Sequence, residues 1–147
     1  CKVAPRGCDL SLRLMFMFQF APTEAAELYR LYVKHFWREK WVAAGFAEWP
    51  KGVADVQDVD SGPILLGIGS AATAMGIGAT KAAADLVRYG RLTTQARTVS
   101  DALRQSISAG SSSSIGDMID GNAGYSTGFL FGDAVLFYAL AWEKWVK

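Results

Sequence analysis

From Ser61 to Thr80 the chain runs without a charged side chain, and five of those residues are glycine: Gly62, Gly67, Gly69, Gly76 and Gly78. A bilayer-crossing helix needs about twenty apolar residues, so the run is long enough to raise that question. Its strong apolar residues are few (Ile64, Leu65, Leu66, Ile68, Met75 and Ile77), and the remainder is mostly Gly, Ala, Ser and Thr. Asp55, Asp58 and Asp60 precede it, Lys81 follows it, and no aromatic belt flanks it. A glycine inside a helix costs about 1 kcal/mol relative to alanine. This density therefore makes sense where other backbones approach closely. The run reads as an inner helix starting near Pro63, with Asp60 or Ser61 as its cap. A membrane span at 61–80 is the lesser expectation.

The other segments sort by how much of their circumference is apolar. Asp9–Phe20 is apolar nearly all round, with Asp9 as a candidate cap. The stretch from Thr23 to Gly45 is amphipathic: Leu28, Tyr29, Tyr32, Val33 and Phe36 share one face, and Arg30, Lys34 and Arg38 line the other. Residues 92–110 repeat that pattern with Leu92, Ala96, Val99, Leu103 and Ile107. The last helix, from Asp133, is apolar until Glu143. Greasy and amphipathic helices thus alternate, as in a two-layer helical array whose inner members are buried. The predicted class is all-α: antiparallel helical hairpins forming a single domain over 1–147. The long connections, 45–61 and 110–132, follow amphipathic helices, and the N-terminal segment also enters a greasy one. Alternating helix directions would bring all three to one end, where long loops tend to carry function.

With Lys+Arg 15 against Asp+Glu 14 the net charge is +1, which gives no electrostatic basis for binding nucleic acid. The hydrophobic fraction of 51% against 20% charged implies extensive burial or contact with lipid or a partner. Two cysteines and one histidine provide no metal-ligand spacing, and no cofactor motif is present. Cys1 and Cys8 are a candidate pair in an oxidising compartment. A leading cysteine also suits a lipoprotein, which slightly favours the cell envelope or periplasm, although an arbitrary fragment start is the simpler expectation. The string "GIGSAATAMGIGATK" lacks the GK[ST] ending of a phosphate loop. "SSSS" at 111–114 has no GxSxG around it.

"EWPKGVADVQDVDSGPILLGIG", "PRGCDLSLRLMF" and "GDAVLFYALAW" resemble the carboxy-terminal part of bacterial α/α-toroid proteins. That is the six-hairpin superfamily of glycoside hydrolases and polysaccharide lyases. The resemblance implies part of a toroid, since a full ring has about six hairpins and this chain supplies two and a half. The missing half, or a second copy, would complete it. It further implies a carbohydrate or other polar small molecule as substrate, bound where the long loops meet. Asp60, Asp58 and Glu48 are then the catalytic carboxylates, because glycoside hydrolysis needs one acid and one base or nucleophile. Asp117, Asp120 and Tyr125 lie in the other long loop. Trp49 would stack on a sugar ring, and Arg6 would bind a carboxylate. Asp60 also suits a simple N-cap, and Trp49 simple packing. The alternative is a non-catalytic envelope or partner-binding module.

Overall fold

In the computed structural model, residues 4–41, 43–53, 64–108 and 130–143 are described. They form α1 (Gly7–Phe20), α2 (Pro22–Phe36), β1 (Trp37–Lys40), β2 (Ala43–Phe46), β3 (Ile64–Leu65), β4 (Ile68–Gly69), α3 (Ser70–Ala82), α4 (Leu86–Ser108) and α5 (Leu130–Ala141).

The all-α expectation is corrected by two antiparallel hairpins, β1–β2 and β3–β4. The helix expected to run on to Gly45 stops at Phe36, and Trp37 turns to an extended conformation with φ −62° and ψ 129°. Cross-strand packing replaces helical packing there. Trp37 pairs in register with Phe46, and their rings meet edge to face at 5.1 Å. Phe46 in turn stacks on Tyr32 at 4.4 Å. The outer edge of β2 has no third strand among the described residues, so side chains complete its hydrogen bonding. Gln95 Oε1 accepts from the Ala44 N–H at 2.8 Å and its Nε2 donates to the Ala44 carbonyl at 3.0 Å. Thr73 does the same for Phe46, accepting at 3.0 Å and donating at 3.2 Å. Buried backbone groups left unpaired would be costly, and two polar side chains prevent that.

The second hairpin interrupts the uncharged run. Leu66 and Gly67 turn it with φ of +56° and +74°, and helix begins only at Ser70. Among the described residues no helix is long and apolar enough to cross a membrane. Helix α3 itself packs against α1, α4 and α5. Its closeness to neighbours is clearest at Gly76, where a Cβ would lie 2.4 Å from the Phe46 ring. The core around it is built from Leu14, Met15, Tyr32, Phe36, Phe46, Ile77 and Leu92.

The strict alternation of buried and half-wet helices is also corrected, and no toroid is evident among the described residues. Phe20 on α1 and Phe137 on α5 are each 73% exposed, so the greasy helices are not enclosed on every side. Arg38, expected on a solvated helical stripe, instead donates to the carbonyls of His35 at 2.8 Å and Trp49 at 3.2 Å. It closes the carbonyl end of α2, where a cation is favoured. Helix α4 starts earlier than expected, at Leu86, with Asp85 Oδ1 accepting from the Arg88 N–H at 3.2 Å.

Candidate functional site

The start of α1 is pressed directly against the strand of chain that follows β2. A Cβ at Gly7 would sit 2.1 Å from the Ala47 carbonyl oxygen, so only glycine fits. The Gly7 N–H donates to the Glu48 carbonyl at 2.8 Å. This contact sets Arg6 and Cys8 on either side of the Glu48 side chain, which is fully buried. Glu48 Oε1 accepts from Arg6 Nε at 3.0 Å and from the Cys8 thiol at 2.9 Å. The carboxylate also lies by the first turn of α1, where the helix dipole favours negative charge.

Glu48 Oε2 has no hydrogen-bond partner among the described residues. It faces Gly69 at the end of β4, where a Cβ would be 3.4 Å away. The Arg6 guanidinium carbon stands 5.8 Å from the centre of the Trp49 ring, within range of a cation–π contact. Arg6 therefore bridges a carboxylate and an indole from adjacent residues.

A second polar layer lies beneath. The hydroxyls of Ser11 and Tyr32 are 2.5 Å apart, and the carbonyls of Ala72 and Gly7 lie 3.3 Å from Ser11 Oγ and Tyr32 Oη respectively. Two hydroxyl protons serve three contacts, so the short bond takes one proton and a carbonyl takes the other. Burial is the main cause pushing the Tyr32 hydroxyl well above its ordinary pKa.

The Cys8 thiol is pushed up to about 12 by burial, by its hydrogen bond to Glu48 and by the charges of Glu48 and Asp9, with Arg6 opposing. A thiol held protonated at neutral pH is a donor and not a nucleophile. It is also a free thiol; Cys1, its candidate partner from the sequence, lies outside the described residues.

Of the residues expected at a site, Arg6, Glu48 and Trp49 meet here although Arg6 and Glu48 are 42 positions apart. Asp58, Asp60, Asp117, Asp120 and Tyr125 lie outside the described residues. The part played by Cys8, Ser11 and Tyr32 was not visible in the sequence. Tyr32 reads there as one more apolar-face residue of α2, and nothing in the spacing shows that its hydroxyl reaches α1. Among the described residues no group of three or more His, Cys, Asp or Glu is placed to hold a metal ion.

Chemically, Glu48 is fixed rather than mobile. Both donors approach one oxygen, the residue is shut off from solvent, and its backbone is tied to α1. Such a carboxylate positions other groups. It orients Arg6 over Trp49 and anchors the chain just before the acidic stretch at Asp55–Asp60. Compared with family models, with curated proteins and with solved structures, the chain matches none.

Proposed function

We propose that the chain carries a carbohydrate-active, glycoside hydrolase-like site beside the Arg6–Glu48–Trp49 cluster. The supporting observation is the Arg6–Glu48–Trp49 cluster, a partly buried ion pair joined to a half-buried indole shortly before the acidic segment in the chain. An indole edge with a fixed guanidinium suits a polyhydroxylated ring, which offers an apolar face to the aromatic group and hydroxyls to the cation. Asp60 and Asp58 supply the two carboxylates, one delivering a proton to the leaving oxygen and the other acting as base or nucleophile. Glu48, named with them from the sequence, is the positioning residue in this reading because its side chain has no exposed surface.

The test is release of reducing ends from a panel of neutral and uronate polysaccharides. Asp60→Asn and Asp58→Asn are each expected to lower turnover by about 10²–10⁴-fold, the usual contribution of acid–base catalysis. Turnover that survives both substitutions, or a panel on which the wild type is inert, would refute the proposal.

A further inference from the structure

On the other side of β4 from Glu48, a groove of about 960 Å³ runs between the two hairpins and α4. Its volume lies in the range of small-molecule sites. Leu66, Ile68 and Val99 supply much of its apolar wall, and Leu66 and Val99 are 61% and 49% exposed. Leu66 occupies a turn position with φ +56° that asparagine or glycine would fill with less strain. A bulky apolar side chain is thus held at the groove's lip against its backbone preference.

The polar side chains of the wall are largely spent within the protein. Gln95 is bonded through both its oxygen and its nitrogen to Ala44. Thr73 is bonded to Phe46. Thr98 donates to the Thr94 carbonyl at 3.1 Å. The charge of Arg91 is matched by Glu39. The Thr94 hydroxyl, in contrast, makes no hydrogen bond to any described residue. Ser70 also lines the groove and is engaged within the protein. Among the described residues the wall therefore offers hydrocarbon contact, no net charge and the Thr94 hydroxyl as its unpaired hydrogen-bonding group.

We propose that this groove binds a neutral single-chain amphiphile: an alkyl chain lying on Leu66, Ile68 and Val99, with one uncharged hydroxyl bonded to Thr94. Among the described residues a carboxylate would find no unpaired cation there, and a sugar would find few hydrogen-bonding partners for its hydroxyls on a mostly apolar wall. This site is separate from the Arg6–Glu48–Trp49 cluster and stands or falls independently of it.

The probe is 1-octanol, titrated into the full chain and followed by amide chemical shifts. Saturable shifts are expected at Ile68, Thr94 and Val99. Gly90 also lines the groove, and a Cβ there meets nothing within 4 Å. Gly90→Leu should therefore fill the space, fold normally by thermal unfolding, and weaken octanol binding by about tenfold or more. Thr94→Val should weaken it by about fivefold, the value of one neutral hydrogen bond. Octanoate should bind more weakly than octanol, and vesicles of phosphatidylcholine should not sediment the chain. Shifts that fail to saturate, that persist in Gly90→Leu, or that octanoate reproduces at equal affinity would overturn the proposal. Sedimentation with the vesicles would overturn it too, by assigning the groove to a lipid surface.

Discussion

A thiol placed 2.9 Å from a buried carboxylate oxygen has lost most of its acidity, and this has a measurable consequence at Cys8. Its folded-state pKa, about 12, is above the ordinary 9.0. The protonated form is therefore favoured by folding, and the associated stability is complete below pH 9. It declines as pH rises from about 9 towards 12, because the unfolded chain ionises first. The expected loss approaches tenfold in the folding equilibrium per pH unit across that window. Urea midpoints measured between pH 8 and 11 should fall in the wild type and fall less in Cys8→Ala. Native Cys8 should also resist iodoacetamide at pH 8.5 and react once unfolded.

Glu48→Gln tests the other partner. It keeps the shape and removes the charge, so a destabilisation of about 1–3 kcal/mol is expected in urea. It should also bring the thiol pKa down, because the carboxylate is one of the causes of the shift. A variant as stable as wild type with unchanged thiol reactivity would show that the ion pair contributes little.

At the scale of elements, α3 meets the β1–β2 hairpin at a tight contact beside the Thr73 hydrogen bonds. Gly76→Ala would gain about 1 kcal/mol of helix propensity but would drive a methyl group into Phe46, which is stacked on Tyr32 and edge-packed on Trp37. Phe46 has nowhere to go, so a net destabilisation of about 1–3 kcal/mol is expected in thermal or urea unfolding. The presence of such contacts was legible in the sequence, because a helix tolerates glycine at that density only where neighbours press against it. The apolar face of α2 was legible too, at Tyr32 and Phe36.

What was not legible was the change of structure at Trp37. The stretch "WREKWVAAGF" contains good helix formers, and helical periodicity continues through Arg38. The deciding interactions are distant: Phe46 on Tyr32, Thr73 on Phe46, and Gln95 on Ala44, the last 51 positions apart. Local propensity is a weak prior beside tertiary contacts of that kind. The uncharged run misled for a related reason. Its six strong apolar residues are compatible with strand or helix, and only Gly67 signals the turn that divides it. For the site, Arg6, Glu48 and Trp49 were named as candidates, whereas the Cys8, Ser11 and Tyr32 partners depend on the exact approach of α1 to the chain after β2.

For the molecule as a whole, α3 is the element with the most neighbours, touching α1, α4, α5, β2 and β4. Cooperative units that share the most buried contact open last. Native-state hydrogen exchange should therefore be slowest at the amides of Ala72 to Ile77. Exchange should be faster in the Leu86–Arg88 turn of α4, where Leu86 and Val87 are 74% and 82% exposed, and in α5. Equal protection of α3 and α5 would show that the two helices open together and that α3 is not a hub.

The small side chains of α3 have one further implication, for how such a chain tolerates change. Where Gly76 meets Phe46 and Gly78 meets Met15, the room for each residue is set by the partner across the gap. A gain in size on the helix is tolerable only alongside a matching reduction opposite it. Acceptable variants of this helix should thus arise as coupled pairs, with each member harmful alone and neutral in company.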